Sequence, residues 1–501
     1  MATPTLVEAF SEAVNILFSW PTIGWMVLGL LLGIVFGALP GIGSSLGMAI
    51  ILPLTLPIQG VNAIILLVAI YSGAMYGGSI AAILVNVPGT AAAAATTFDG
   101  YPMSQQGKAK NALAMSATAS SIGGFFTIIA LFLVSSILVE IVLAFGSPEY
   151  FLIAILGISM ITVVAQGSMV KGLVAGFFGL LLTTIGIAPV SPTIRYTFGQ
   201  LALYDGLDYV AALIGLFATT EMLFLAGRRG GIAEADVDIS GSLREGISET
   251  FSRPLTVLKS AFIGMGIGAI PGSGASVSNF LAYTEAMRAS SEADTFGQGN
   301  PAGVIASEAS NNGTVGGSLI PTLSFGIPGS GSTAVLLGGL IMHGMVPGPD
   351  LFTTQLPQTY SLFLSLLVGN VVILVLGLSV ITRLSYITRI DSNYIIPLIM
   401  VLATLGALTL RTNWADVILI VVLGFVGYFM RKHDYSVIAF VLGFVLGPIA
   451  EQNLLRSLQL SGGSFMIFVE KPLSLMLVIA IFIVLMGPYI GPRLSELAQR
   501  I

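Results

Sequence analysis

The sequence predicts an all-α polytopic membrane protein built from two internal repeats with broken, re-entrant helices. Three observations carry this. Of the 501 residues, 55% are hydrophobic and 9% are charged, against roughly 25% charged in a soluble domain. Apolar runs recur along nearly the whole chain, and at about 20 residues per helical crossing there is room for ten or more crossings. Two Pro-Gly motifs appear in the same order in each half. The first two observations exclude a soluble enzyme on a membrane anchor.

Composition narrows the chemistry further. The chain has no cysteine, so disulfides, thiolate metal sites and cysteine nucleophiles are excluded. Two histidines, His343 and His433, make a His-built metal centre improbable. The formal charge of −5 provides no basic field for nucleic acid.

Residues 1–22 read as an amphipathic interfacial helix, with Leu6, Val7, Phe10, Val14, Leu17 and Phe18 at helical spacing and Glu8 and Glu12 between them. This segment lacks the basic start and small-residue cleavage site of a signal peptide, so it is expected to be retained. A first transmembrane repeat, residues 23–227, holds apolar segments at about 23–39, 61–85, 112–145, 149–165, 170–190 and 206–227. A second, with C-terminal spans, covers 259–501 and holds segments at about 259–282, 303–327, 331–346, 357–380, 395–410, 415–430, 436–449 and 473–490. Several are too short or too Gly/Pro-interrupted to be simple spans, and read as half-helices or re-entrant hairpins.

Between the halves lies the one long polar stretch, a linker over residues 228–258 closed by Lys259. It holds Arg228, Arg229, Arg244 and Arg253, so with Lys259 it accounts for five of the 19 basic residues. The positive-inside bias places it in the cytoplasm. Its acids (Glu234, Asp236, Asp238, Glu245, Glu249) and small size fit a linker rather than a folded domain.

Residues 37–45 read GALPGIGSS and residues 268–276 read GAIPGSGAS, an offset of 231. Farther on, Gly77-Gly78-Ser79 precedes Asn86-Val87-Pro88-Gly89-Thr90, and Gly316-Gly317-Ser318 precedes Gly326-Ile327-Pro328-Gly329-Ser330, at offsets of 239 and 240. In hydrocarbon an unpaired backbone group costs several kcal/mol, so broken helices persist only where protein or a water-filled cavity satisfies them. Proline stops each helix, glycine lets the backbone turn towards a ligand, and the next half-helix begins with free N–H groups that attract anions. Four such turns near the midplane are what a secondary transporter built from repeats requires. The alternative is Gly-rich packing faces with proline kinks.

Every Lys and Arg lies outside the apolar cores or at their ends, so the anion is expected to be held by backbone amides and hydroxyls. The candidate substrate-binding residues are Gly41, Gly43, Ser44, Ser45, Asn86, Gly89 and Thr90 in the first half, with Gly272, Ser273, Gly274, Ser276, Gly329, Ser330 and Ser332 in the second. Ser278, Asn279 and Thr333 are further polar candidates, and Lys108, Lys110, Arg195 and Arg288 are vestibule candidates or interface anchors. Ion coupling falls to Glu308, in GVIASEASNNGTVGG, with Asn311 and Asn312 one turn on, and to Asp99 in TTFDGYP. An intramembrane carboxylate is a functional hypothesis by default. It would coordinate Na⁺ or carry a proton, or else be an acid at the interface. Glu140, Glu221 and Asp416 read as partners of neighbouring helices or headgroups. His343 with Ser330 or Ser332 leaves a minor alternative, an intramembrane serine hydrolase; a passive anion channel is another.

At these motifs the chain resembles the TctA family, the large membrane subunit of tripartite tricarboxylate transporters. The resemblance runs through GALPGIGSS, YSGAMYGGSIAAILVNVPGT, DGYPMSQQGKAKNALA, GAIPGSGAS, FGQGNPAGVIASEASNNGTVGGSLIPTLSFGIPGSGSTAVLLGGL and HGMVPGPDLF, most of residues 30–355. It implies a non-enzymatic, multi-pass symporter subunit of the bacterial inner (cytoplasmic) membrane that imports tricarboxylates or related carboxylates. It also implies two protein partners, an extracytoplasmic solute-binding protein and a small membrane subunit, besides the lipid bilayer. No cofactor is implied apart from Na⁺ as a coupling ion, and drive by an ion gradient agrees with the lack of a G-x-x-x-x-G-K-[ST] nucleotide loop.

Overall fold

The structure, a computed structural model, describes residues 5–160, 168–226, 239–272, 274–379 and 413–498, with isolated positions between 397 and 408. Ser273, residues 228–238 of the linker and most of the expected segment 395–410 lie outside the described residues. The structure is 78% helical, and among the described residues the strands form one short hairpin pairing Gly186–Ile187 with Ile194–Arg195.

In order, the helices are α1 (Leu6–Leu17), α2 (Thr22–Ala38), α3 (Gly43–Ile51), α4 (Gly60–Val85), α5 (Thr96–Gln105), α6 (Ala109–Leu143), α7 (Ser147–Ser159) and α8 (Met169–Leu182). Next comes α9 (Tyr209–Ala226), π-helical over Ile214–Thr219. After the linker come α10 (Leu243–Phe251), α11 (Pro254–Gly268), α12 (Gly274–Ala289), α13 (Pro301–Phe325), α14 (Gly331–Met342) and α15 (Leu356–Ser379). The chain closes with α16 (Trp414–Lys432), α17 (Val437–Leu460) and α18 (Pro472–Ala498).

Six helices among the described residues are long and apolar enough to cross a membrane, or eight if each of two bent pairs is one span. Several of the expected apolar segments fold as half-helices. Segment 259–282, for example, is divided between α11 and α12 by the Pro271-Gly272 turn.

α1 starts from a capping box in which the Thr5 hydroxyl accepts from the Glu8 amide and Glu8 accepts from Thr5. The Thr5 amide and hydroxyl hold Glu8 below the usual carboxylate range. Ala9, Ala13 and Leu17 face the protein, while Val7, Phe10 and Phe18 face outwards, and the chain bends 70° into α2. Outward-facing Leu133, Val170, Phe177, Phe429 and Phe482 continue an apolar exterior suited to lipid.

Glycine dictates the packing of the two halves. A Cβ built on Gly33 would lie 2.4 Å from the Ile70 carbonyl oxygen, and one on Gly37 would lie 2.2 Å from that of Ala74, so α2 and α4 touch backbone to backbone. In the second half the same contacts join Gly264 to Ser310 and Gly268 to Thr314, between α11 and α13. Gly73 and Gly77 pack on Leu30 and Ile34, as Gly313 and Gly317 pack on Ala261 and Met265. These contacts share two offsets, 231 residues between α2 and α11 and 240 between α4 and α13. This register pairs Gly77 with Gly317, so the Gly-Gly-Ser match at offset 239 is one residue out of step with the packing.

The two helical hairpins, α2–α3 and α11–α12, open at opposite ends of the molecule. α9 runs from the loop after the β-hairpin to the linker, which defines a linker face and a hairpin face. Thr55, beyond α3, bonds through its hydroxyl to His343 Nε2 at 2.8 Å, at the hairpin-face end of α14. The open end of α11–α12 instead carries the Lys259–Glu285 ion pair, next to the linker. α13, with its polar face of Ser307, Glu308, Ser310, Asn311, Asn312 and Thr314, is buried among other helices at 1% exposure or less at each of these positions.

Candidate functional site

All four Pro-Gly turns reach one cavity of about 340 Å³. Gly41, Gly43, Ser44 and Ser45 line it from the first hairpin tip, and Gly89 and Thr90 from the turn after α4. Gly274 and Ser276 contribute from the second tip, and Ser330 and Ser332 from the turn before α14. The half-helices α3, α12 and α14 all begin at this cavity. Their first amides have no intrahelical partner and carry the positive end of each helix dipole.

Two tip glycines adopt a left-handed backbone, Gly43 at φ +60° and Gly274 at φ +67°. A Cβ on Gly43 would meet nothing closer than 3.8 Å, and one on Gly274 nothing closer than 3.9 Å. Bare backbone therefore faces the cavity, where a ligand can approach it. The Ser332 hydroxyl lies 2.6 Å from that of Ser44 and 3.0 Å from that of Ser45, which joins the two halves across the site. Tyr71 forms another part of the wall, its hydroxyl 3.0 Å from Ser318 Oγ.

Three candidates lie elsewhere. Asn86 is exposed and holds the left-handed C-cap of α4 at φ 57°, matched at offset 240 by Gly326 at φ 68°. Gly272 is buried outside the cavity wall. Gly329 is a crossing point, where a Cβ would meet the Gly268 carbonyl oxygen at 2.8 Å. Lys108, Lys110, Arg195 and Arg288 are absent from the wall, and Arg195 instead bonds Glu451 at 2.5 Å on the hairpin face.

A cation does line the cavity, contrary to the expectation from sequence. Arg431, near the end of α16, reaches the wall and pairs with Glu221 of α9. Its position at a span end reads in sequence as interface anchoring, and the chain fold that turns it inwards leaves no local signal. Only the apolar flanks of Glu221 marked that acid as one with a helix partner.

Glu308 is fully buried on α13. The Thr96 hydroxyl donates to Oε1 at 2.5 Å, and those of Ser116 and Ser120 donate to Oε2 at 2.9 Å each. Asn311 donates to the Met75 carbonyl at 2.9 Å, and Asn312 approaches Asn370 Oδ1 at 3.5 Å. The Oδ1 atoms of both asparagines are buried without a hydrogen-bond partner. Asp99 differs: its Oδ1 accepts from the amides of Gly297, Gly299 and Asn300 at 2.9, 2.8 and 2.7 Å, and its Oδ2 from the Tyr283 hydroxyl at 2.9 Å. It ties α5 to the loop that starts α13.

The serine and histidine of the hydrolase alternative do not meet. Ser332 and His343 lie at opposite ends of α14, roughly 17 Å apart at 1.5 Å per residue, and the imidazole bonds Thr55.

A larger cavity of about 730 Å³ lies on the hairpin face, lined by Tyr150, Tyr209, Phe325, Leu337, Phe444 and Glu451 among others. α9, α14 and α17 each line both cavities, through Tyr209 and Glu221, Leu337 and Ser332, and Phe444 and Ile438 respectively. Where they converge, Tyr209 donates to the Ala334 carbonyl at 2.6 Å and stacks on Phe444 at 6.3 Å between centroids.

Spanning helices around a polar cavity built at broken helices define a polytopic membrane transport protein. The chain belongs to the tripartite tricarboxylate transporter TctA family, whose profile matches residues 23–442. It is thus a membrane subunit of a tripartite tricarboxylate transporter. Two relatives come from Agrobacterium vitis. An uncharacterized 52.8 kDa protein in the TAR-I ttuC' 3' region is 33% identical over 454 residues, 90% of each chain. An uncharacterized protein in the TAR-II ttuC' 3' region is 32% identical over 208 residues, 42% of this chain and 86% of the relative. No solved structure matches the chain.

Proposed function

We propose that this chain is the large permease subunit of a binding-protein-dependent secondary transporter, and that it imports tricarboxylates or related carboxylates by coupling to a Na⁺ or H⁺ gradient. The observation that carries the proposal is the convergence of four Pro-Gly turns, two from each half, on one cavity. Backbone amides at three half-helix starts supply the donors a carboxylate needs, and the serine hydroxyls supply more.

The halves act as inverted repeats in this account. Matching backbone contacts at offsets of 231 and 240, and hairpins that open on opposite faces, both support it. The two cavities are then two mouths of one path, closed on the hairpin side where Tyr209 meets Ala334 and Phe444. Lys108, Lys110, Lys171, Arg253, Lys259, Arg431 and Lys432 group towards the linker face, which the positive-inside bias makes cytoplasmic. The extracytoplasmic binding protein would then deliver substrate to the hairpin face of the bacterial inner membrane.

Coupling falls to Glu308 with Asn311 and Asn312. A carboxyl this deep needs a proton or a cation, and the adjoining hydroxyl and amide oxygens are hard ligands suited to Na⁺. Asp99 has a structural task instead, since four protein donors already occupy its carboxylate.

A single cysteine at Ala275, on the cavity wall, tests the site in a chain that has none of its own. Tricarboxylate is expected to slow its labelling by a maleimide in a concentration-dependent way. Equal labelling with and without any carboxylate would remove the cavity from the path.

A further inference from the structure

We infer that Glu221 is a resident carboxylate that pairs with Arg431 on the cavity wall, and that one carboxylate of the substrate displaces it. The inference rests on the substrate site proposed above and adds to it an ionic subsite on the second-half arginine.

The pair sits where an anionic ligand would bind. Arg431 and Glu221 are the charged residues on the wall, so their charges cancel there. Glu221 is largely buried, at 15% side-chain exposure, whereas Arg431 is 46% exposed. A Cβ built on Gly41 would lie 3.2 Å from Glu221 Oε1, which puts this carboxylate beside the first hairpin tip, just ahead of the start of α3. One oxygen of the carboxylate pairs with a guanidinium, and the other lies against the Gly41 turn that leads into α3. An incoming substrate carboxylate would seek the same two partners.

Local structure supports an exchange rather than a fixed tie. The π-helical segment Ile214–Thr219 ends two residues before Glu221, and π-bulges within α-helices are frequent at functional sites. The Arg431 guanidinium also stacks 4.5 Å from the Phe224 ring centroid, so it stays in place when its carboxylate partner leaves. Arginine presents a planar fork that accepts one carboxylate for another without rearrangement.

Substrate chemistry follows from the count of anion partners. Arg431 takes one carboxylate and the starts of α12 and α14 face the others, so the site favours compact anions with two or more carboxylates. The cavity has the volume of about eleven liquid waters, enough for a small polycarboxylate and too little for a bulky one.

Calorimetric titration of citrate into the purified full chain in nanodiscs tests this with four proteins: native, Glu221→Gln, Arg431→Gln and the double variant. Citrate is expected to bind about tenfold more tightly to Glu221→Gln, because the internal competitor is gone, and at least tenfold more weakly to Arg431→Gln. In the Arg431→Gln background the Glu221→Gln change is expected to tighten binding by clearly less than tenfold, since only charge repulsion is relieved and no competition for a guanidinium remains. Equal or weaker binding to Glu221→Gln, or effects that simply add, would overturn the displacement. If the native chain bound citrate and neither variant changed its affinity, this inference would fail while the cavity reading stood. If neither citrate nor succinate bound any of the four proteins, both would fall together.

Discussion

The hydroxyls of Ser44 and Ser332 lie 2.6 Å apart although 288 residues separate them in sequence. Each stands at the start of a half-helix, one from each half of the chain. Such a bond is worth only about 1 kcal/mol net, so a ligand can replace it easily. At the cavity, then, the two halves are joined by a contact weak enough for a ligand to exchange.

Gly43→Leu and Gly274→Leu each place a large side chain where left-handed backbone faces the cavity. Uptake is expected to fall to background in both while the protein still inserts, because the backbone strain alone costs about 1 kcal/mol. Native-level uptake by both variants, with membrane abundance matched by immunoblot, would remove the tips from the site.

Glu308→Gln keeps the shape of a side chain that accepts from Thr96, Ser116 and Ser120. Membrane abundance is expected to hold, and the ion concentration giving half-maximal uptake to move by tenfold or more. An ion titration that superimposes on the native curve would return Glu308 to a structural role.

Asp99→Ala should act on stability alone. It strands the amides of Gly297, Gly299 and Asn300, at about 1–3 kcal/mol for each group left unpaired. The melting temperature in detergent is expected to drop by several degrees with the ion titration unchanged. A shifted ion titration at native stability would restore Asp99 to coupling.

Tyr209→Phe removes the hydroxyl that donates to Ala334 and keeps the ring stacked on Phe444. With about 1 kcal/mol withdrawn from the closed state, the open population is expected to rise about fivefold. A cysteine at Leu337, buried on the wall of the larger cavity, would then label correspondingly faster with a maleimide. Identical labelling rates in the two backgrounds would mean that Tyr209 does not close the path.

Helix identity and the four broken positions were legible in the sequence because proline and glycine act locally. Sequence left Glu308 open between a buried carboxyl and an acid at the interface, and its full burial on α13 is what the structure adds. The number of crossings was not legible, because a run of apolar residues reads alike whether it spans or folds back at its middle. Arg431 was missed for a related reason: its place at the end of α16 matches an interface anchor, and only tertiary packing turns it towards Glu221. Asn86 erred the other way, as an amide beside a Pro-Gly pair resembles a ligand donor, yet asparagine is also the residue that best replaces glycine at a left-handed helix cap.

Uptake of labelled di- and tricarboxylates into proteoliposomes tests the central claim most directly, measured with and without a Na⁺ or H⁺ gradient and with the binding protein and small subunit present. The account predicts uptake that needs both the gradient and the binding protein, and that Gly43→Leu abolishes. Uptake of equal rate without a gradient would contradict it and make the chain a passive pore.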